Sequence, residues 1–146
     1  MSVAPGQVNI FLATGALLSA IAAIVHLAII VGGPNWYRFF GAGERFAVAA
    51  ARGLYYPALV TIGIAAMLGI WSAYALAGAG AIGPLPLLKP VLIGITAIYV
   101  LRGLAFAPAV VVAGGHITPF VLWSSAICLG FGIVHLVGVV QRWPAL

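Results

Sequence analysis

Four runs of apolar residues constrain this chain more than any other feature of its sequence. A helix needs about 20 mostly apolar residues to cross a hydrocarbon core of ~30 Å. Glycine and proline punctuate the connections between the runs, as is typical of helix ends. The sequence therefore predicts an all-α fold, a four-transmembrane-helix bundle in a single transmembrane domain over residues 1–146. The predicted spans one to four are residues 8–31, 57–77, 87–107 and 119–140.

The composition agrees with a membrane-embedded chain and excludes several other classes of protein. Hydrophobic residues make up 65% of the chain and charged residues 5%, which does not describe a water-facing surface. The net charge of +5 arises because six Lys and Arg stand against one acid, Glu44. Six scattered cations do not form the basic stripe that neutralises phosphates, so nucleic acid is not an expected partner. The expected partner is the lipid bilayer.

The first run has a second interpretation, as a signal peptide, because Ala20-Ile21-Ala22 is similar to a small-residue cleavage site. No Lys or Arg precedes the run, and the apolar stretch continues for nine residues beyond this segment. Both features favour an uncleaved span over a signal peptide.

Loop one, residues 32–56, is the only long connection, and it carries most of the charge together with several aromatic residues. Aromatic and arginine side chains suit the headgroup layer of a membrane. Residues 43–52 (GERFAVAAAR) contain helix formers and predict a short interfacial helix. The alternative is a charged linker anchored by its aromatic side chains.

An even number of spans places both termini on the same side of the membrane. Loop one and loop three, the connection between spans three and four, then lie together on the other side. That side carries Arg38, Arg45, Arg52 and Arg102, and the side with the termini carries Lys89 and Arg142. The excess of cations leans toward cytoplasmic loops one and three. We expect a multi-pass protein of a bacterial inner membrane.

Spans one and four each carry a stripe of small residues that ends in a histidine. Small residues let helix backbones approach closely in lipid, so these faces predict helix packing, within the chain, in a homo-oligomer or against another membrane protein. The stripes are Gly15, Ser19 and Ala22, ending at His26, and Ser124, Cys128 and Gly132, ending at His135.

The two span histidines do not predict a shared metal or haem. In antiparallel spans one and four, His26 and His135 should lie roughly 16 Å apart along the bundle. Metal–nitrogen bonds of ~2 Å cannot bridge that separation. The alternative interpretation is a hydrogen bond from each ring to a neighbouring carbonyl or hydroxyl.

Arg102 lies well inside span three and predicts a charged site. A guanidinium in hydrocarbon costs about 2.5–3.5 kcal/mol on insertion scales, so a partner is expected. Glu44 is the only acid in the chain, and it lies on the loop next to the same end of span three. We therefore expect a Glu44–Arg102 pair. In the alternative, Arg102 snorkels to lipid phosphate while Glu44 pairs with Arg45 or Arg52.

Other polar side chains can converge on this end of the bundle and form a polar mouth that binds a ligand. The opposite end offers Asn9, Tyr74, His135 and Gln141, has no carboxylate, and is the weaker candidate. The predicted residues of the polar mouth are Glu44, Arg102, His26, Tyr56, Tyr99 and His116.

The sequence contains no motif that names a reaction. A single cysteine, Cys128, excludes an intramolecular disulfide and a multi-cysteine metal site. A GxSxG nucleophile elbow, an HExxH zinc motif and a Walker phosphate loop are missing from the sequence. We therefore predict no metal, no cofactor and no catalytic residue.

Three segments carry a resemblance to known proteins. Residues 33–44 (GPNWYRFFGAGE), 99–103 (YVLRG) and 123–128 (WSSAIC) resemble a group of small, uncharacterised bacterial four-helix integral membrane proteins. A fainter similarity is to DoxX-like proteins, which also have four spans and an acid before span two. The resemblance implies the four-span topology over almost the whole chain and implies no activity.

Three functions remain open at this point. The first is a non-enzymatic structural or accessory subunit that docks through its small-residue faces. The second is a carrier or binder of a small molecule or lipid through the polar mouth at Glu44 and Arg102. The third is a membrane-embedded lipid-modifying enzyme.

Overall fold

A computed structural model describes residues 7–146, and this part of the chain is all helical, with no strand. The predicted fold class is therefore confirmed. A short 3-10 turn, Trp143–Ala145, follows the last helix. The helices are α1 (Ile10–Phe39), α2 (Glu44–Ala51), α3 (Tyr56–Ala79), α4 (Leu88–Val112) and α5 (Pro119–Arg142).

Four of these helices, α1, α3, α4 and α5, are long and apolar enough to cross a membrane. Predicted spans two and four lie wholly within α3 and α5. Spans one and three are also found as helices, but α1 and α4 both continue several residues beyond the predicted ends. The chain is a multi-pass membrane protein.

A kink at Gly33 divides α1. The backbone of Gly33 leaves the helical region, with φ 67° and ψ −150°, directly before Pro34. Proline disfavours a helical conformation in the residue before it and donates no backbone hydrogen bond, and glycine tolerates a positive φ. The predicted break is therefore present, but the chain resumes a helix up to Phe39, where the sequence predicts a loop.

The predicted helix in loop one is present as α2, and the charged-linker alternative is wrong. Gly43, with φ 91°, precedes the helix, and Glu44 lies in its first turn, where a negative charge complements the helix dipole. Ala47 and Ala49 are buried, while Arg45 and Arg52 are exposed. The position of α2 at the membrane interface stays a prediction.

The connection between α4 and α5 is shorter than predicted. Helix α4 passes through Pro108 and ends at Val112, and Gly114, with φ 76°, then reverses the chain. Thr118 caps α5 by accepting a hydrogen bond from the Val121 amide at 3.3 Å. Pro119 follows at the first helical position, where its missing N–H costs nothing.

The chain divides into two compact units by its internal contacts. The first, the α4–α5 unit, contains described residues 7–19 and 71–146. The second, the α2 unit, is Ala20–Ile70. The single domain expected from the sequence stays a prediction.

Glycines bring α4 and α5 together in the α4–α5 unit. A Cβ on Gly103 would lie 2.7 Å from Cα of Leu129, and one on Gly132 would lie 2.9 Å from the backbone nitrogen of Val100. Residue numbers fall from 103 to 100 along α4 as they rise from 129 to 132 along α5, so the two helices are antiparallel. In lipid, such close backbone approach supplies the van der Waals contact that holds helices together.

The start of α1 is tied to other helix ends of the α4–α5 unit by Asn9, which is fully buried. Its backbone amide donates to the Ala79 carbonyl at 2.9 Å, and its side-chain amide donates to Gln141 at 2.8 Å. Its Oδ1 accepts from the Leu12 amide and so caps α1. A single buried residue therefore joins the ends of three helices, α3 through its backbone and α1 and α5 through its side chain.

The α2 unit has its own aromatic core. Ile29, Tyr37 and Ala47 are buried together, and Phe46 packs against them. The phenol oxygen of Tyr37 lies 3.4 Å from the hydroxyl oxygen of Thr61. Tyr37 is 2% exposed, so the prediction that the loop-one aromatics serve as headgroup anchors is wrong for this residue.

Candidate functional site

The six residues predicted to line the polar mouth divide equally between the two units, so the mouth as one site stays a prediction. The structure describes the surroundings of each side chain within its own unit. The α2 unit holds His26, Glu44 and Tyr56, and the α4–α5 unit holds Tyr99, Arg102 and His116.

Glu44 forms an ion pair with Arg38, a partner that the sequence pattern does not predict. Its Oε1 accepts a hydrogen bond from Nη2 of Arg38, and its Oε2 accepts one from Nε, both at 2.8 Å. The sequence predicts Arg102 as the partner of this carboxylate, or locally Arg45 or Arg52. Within the α2 unit the partner is therefore Arg38, and neither Arg45 nor Arg52 pairs with the carboxylate. The Glu44–Arg102 pair stays a prediction.

Arg38 reaches Glu44 because α1 continues as a helix past its kink. Gly41 and Gly43, both with positive φ, then turn the chain so that the first turn of α2 faces the last turn of α1. The hydrogen bonds from Arg38 hold the pKa of the Glu44 carboxyl below its ordinary value. The side chains are 44% and 65% exposed, so this is a surface ion pair with a small effect on stability.

His26 and His135 both bond to the carbonyl one turn earlier in their own helix. Nδ1 of His26 lies 2.7 Å from the Ala22 oxygen, and Nδ1 of His135 lies 2.8 Å from the Phe131 oxygen. A carbonyl only accepts, so Nδ1 carries the proton in both rings. The hydrogen-bond interpretation of the two histidines is confirmed.

Tyr56 braces α2 within the α2 unit. Its hydroxyl donates to the Arg45 carbonyl at 3.4 Å, and its ring meets the ring of Phe46 edge to face at 5.4 Å. The ring is 37% exposed. Tyr56 therefore joins the start of α3 to α2 and still presents one side outward.

Tyr99, which the sequence predicts as a lining residue of the polar mouth, lies in the interior of the α4–α5 unit. It is 5% exposed, and its hydroxyl lies 2.9 Å from Oγ of Ser19. Its ring contacts those of Trp71 and Phe131 edge to face, at 5.1 and 5.4 Å. Tyr99 therefore pairs with Ser19 of the small-residue stripe of α1, and its role in the polar mouth stays a prediction.

His135 belongs to the same interior cluster, which the sequence analysis did not identify. Its ring is fully buried and lies 5.2 Å from the ring of Tyr99. Gly15 makes room for it, since a Cβ there would lie 2.7 Å from Cε1 of the ring. Among the described residues, Nε2 of His135 has no hydrogen-bond partner. The signal available in the sequence is the Gly15 and Ser19 stripe.

Arg102 is the charged residue of the α4–α5 unit that most lacks partners. Its guanidinium carbon lies 3.4 Å from the ring centre of Phe106, one turn further along α4. One Nη donates to Oγ of Ser124 at 3.5 Å, and the other, Nη1, is buried with no partner among the described residues. No Asp or Glu occurs in the sequence of this unit. The charge therefore has no carboxylate inside its own unit.

The surroundings of Arg102 come mainly from α5. Ser124 also donates to the Val121 carbonyl at 3.3 Å, which directs its oxygen lone pairs toward the guanidinium. Cys128, one turn further along α5, is partly buried. His116 is exposed in the α4–α5 connection.

Two open grooves lie outside these clusters. One of about 500 Å³ follows α5 and is apolar, lined by residues such as Leu122 and Trp123. At 100° per residue, it follows a different face of α5 from Ser124. The other, of about 390 Å³, runs along α2 from Glu44 to Arg52 and reaches Tyr56. Only the second groove combines charge with an apolar floor.

The described residues contain no group of three or more His, Cys, Asp or Glu side chains placed to hold a metal ion. No protein-family model, no curated protein and no solved structure matches this chain. The resemblance to small bacterial four-helix membrane proteins and to DoxX-like proteins therefore stays a prediction.

Proposed function

We propose that this chain is a multi-pass inner-membrane protein that binds an anionic amphiphile through Arg102. The observation that carries the proposal is the buried, unpartnered Nη1 of Arg102 in a unit whose sequence has no acid. The group bound is a carboxylate or a phosphate, since either matches the planar fork of guanidinium donors.

The energetics of Arg102 support a bound anion. Inserting a guanidinium into hydrocarbon costs about 2.5–3.5 kcal/mol. The contact with Phe106 offsets about 0.5–2 kcal/mol of that cost, and a hydrogen bond of 3.5 Å to Ser124 is at the limit of a useful length. An anion supplied by the bilayer accounts for the rest, because it brings acceptors to the unused donor.

The length of α4 also supports the proposal. The helix extends to Val112, ten residues beyond Arg102, where the sequence predicts an end at residue 107. At 1.5 Å per residue, Arg102 lies about 15 Å from the helix end. A long side chain at that depth snorkels only part of the way to the membrane surface, so an anionic ligand within the bundle is the better partner.

The hypothesis of a structural or accessory subunit loses part of its support. It depends on small residues that are free to dock another protein, yet Gly15 lies against His135 and Gly132 lies against Val100 of the same chain. One observation still favours it as a second candidate. Gly63 and Gly69 of α3 have no neighbour within 4 Å of an added Cβ, so α3 stays open to another helix at both positions.

Native mass spectrometry of the detergent-purified protein tests the proposal. We expect a retained anionic lipid or carboxylate that is lost in Arg102→Gln and weakened in Arg102→Lys, which keeps the charge but lacks the fork. Arg142→Gln is the matched control, because Arg142 already donates to the Gly78 carbonyl within the unit. Equal retention by all four proteins would contradict binding at Arg102. A stoichiometric partner protein would favour the subunit instead.

The location and the side of the termini belong to the same proposal. Single cysteines at Gly80 and Leu146 should react with an impermeant thiol reagent from one side of the membrane. Cysteines at Ala42 and Gly115 should react from the other side, all in a Cys128→Ser background. Labelling of Gly80 and Ala42 positions from the same side would contradict the four-span topology.

A further inference from the structure

The groove along α2 has the features of a lipid headgroup site, separate from Arg102. It has a volume of about 390 Å³ and is lined by Arg45, Val48, Ala49 and Arg52, with Glu44, Leu54 and Tyr56 completing the lining. Arg45, Val48 and Ala49 of α2, together with Arg52 directly after it, are spaced i, i+3, i+4 and i+7, so they lie on one side of the helix. An arginine therefore stands at each end of an apolar floor.

The charge of the groove is not neutralised by the protein. The sequence of the α2 unit contains Arg38, Arg45, Arg52 and Glu44, which is three positive charges and one negative charge, a net +2. Arg38 takes both oxygens of Glu44. The net charge of the unit is therefore that of the two groove arginines.

The ends of the groove are two helical turns apart. Seven residues at 1.5 Å each separate Arg45 from Arg52 by about 10.5 Å along α2. The two positions differ by only ~20° around the helix axis, so both side chains can reach a ligand that lies along it. One phosphate would engage one arginine, whereas two phosphates joined by a short linker would engage both.

The membrane is the natural source of such a ligand. Helix α2 lies between two candidate spans, so both of its ends are attached to segments that enter the bilayer. Leu54 adds an exposed apolar side chain at the edge of the groove, next to the polar hydroxyl of Tyr56. Apolar and cationic side chains in one groove match the boundary between headgroups and acyl chains.

We infer that the Arg45–Arg52 groove binds the headgroup of an anionic phospholipid that carries two phosphates joined by a short linker. Each arginine holds one phosphate, and Val48 and Ala49 contact the linker between them. This site is independent of the ligand proposed for Arg102.

The test uses the full-length protein in phosphatidylcholine nanodiscs doped with cardiolipin, which has two phosphates, or with phosphatidylglycerol, which has one, at matched total charge. Binding is measured from the lipid retained after extraction into detergent. We expect preferential retention of cardiolipin. Arg45→Gln and Arg52→Gln should each weaken it about fivefold, from about 1 kcal/mol per arginine near a membrane surface. Their double variant should lose the preference for cardiolipin and retain the two lipids equally, at the level that Arg102 alone holds.

Two further variants separate the groove from general charge effects. Arg142→Gln removes a cation from the other unit and should leave cardiolipin retention unchanged. Glu44→Gln removes the nearby acid and should leave retention unchanged or increase it. Both groove arginines are exposed, so their variants should fold. The lysine variants Arg45→Lys and Arg52→Lys should retain most of the cardiolipin binding that the glutamine variants lose.

Equal retention of the two lipids at matched charge would overturn the two-phosphate site. An equal loss in Arg142→Gln would overturn the groove as its location. Because Arg102 is intact in every variant, failure here is distinguishable from failure of the Arg102 proposal, which is scored on Arg102→Gln alone.

Discussion

The α2 unit and the α4–α5 unit treat charge and packing in opposite ways. In the α2 unit the only acid of the chain meets Arg38 in a two-point ion pair at the surface, and the core is aromatic. In the α4–α5 unit Arg102 has an aromatic ring and one long hydrogen bond, and the helices meet through glycines. An exposed pair needs little from its surroundings, whereas an embedded cation requires a partner that the unit itself does not contain.

The difference in helix packing should give the largest change in the unfolding free energy. Gly132→Leu should lower the unfolding free energy of the purified protein by about 1–3 kcal/mol, because its side chain must displace the Val100 backbone. Gly63→Leu in the α2 unit is the matched control and should have no such effect, since its Cβ meets open space. Thermal unfolding in detergent measures both. Equal unfolding free energies of the two variants would contradict a difference in helix packing between the units.

The charge difference predicts a gain in stability at Arg102. In lipid-free detergent, Arg102→Gln should raise the unfolding free energy by about 1–2 kcal/mol, because the cation–π contact offsets only part of the insertion cost. Arg38→Gln should not stabilise the protein, since it leaves Glu44 without its hydrogen bonds. A loss of stability in Arg102→Gln would show that the protein already satisfies this cation.

Buried hydroxyl groups provide a third comparison. Tyr99→Phe removes the 2.9 Å bond to the fully buried Ser19 and should cost about 0.6–1 kcal/mol. Tyr37→Phe removes a longer contact, 3.4 Å to Thr61, whose hydroxyl also bonds to Pro57 at 2.7 Å. Its cost should therefore be smaller. The same unfolding measurement ranks them, and the reverse order would contradict a tighter polar interior in the α4–α5 unit.

Lowering the pH should change the stability of the protein least, and only through Glu44 of the α2 unit. The pKa of Glu44 is lower in the folded protein than in the unfolded chain, so the pair stabilises the fold above the unfolded pKa. That contribution is lost as the pH falls through the lower, folded pKa. NMR titration of the Glu44 carboxyl carbon should therefore give a midpoint below its value in Arg38→Gln. Identical midpoints would mean that the pair is not formed in solution.

A double-mutant cycle decides the pair expected from the sequence. Glu44→Gln and Arg38→Gln should show coupling, because their side chains share two hydrogen bonds. The cycle of Glu44→Gln with Arg102→Gln should be additive if Arg38 is the only partner of the carboxylate. Coupling between Glu44 and Arg102 would support the predicted polar mouth as one site.

The candidate site was only partly predictable. Arg102 stands out in the sequence because a charge inside an apolar span is costly wherever the span packs, and the histidine hydrogen bonds follow from the carbonyl one turn earlier. The partner of Glu44 was not predictable in this way. It depends on the conformation of Gly33 and on the turn at Gly41 and Gly43, which set where the last turn of α1 points.

Although the sequence left a helix and a charged linker as alternatives for loop one, it was enough to predict the four long apolar helices and the absence of any acid close to Arg102 along the chain. These properties depend on local composition, hydropathy and capping, which act over one or two helical turns. The tertiary structure was needed to find that Tyr99 bonds to Ser19 and contacts His135, and that Gly103 and Gly132 let α4 pack closely against α5. Such contacts depend on the rotation and depth of each helix against its neighbours, and a uniformly apolar helix does not encode which of its faces turns inward.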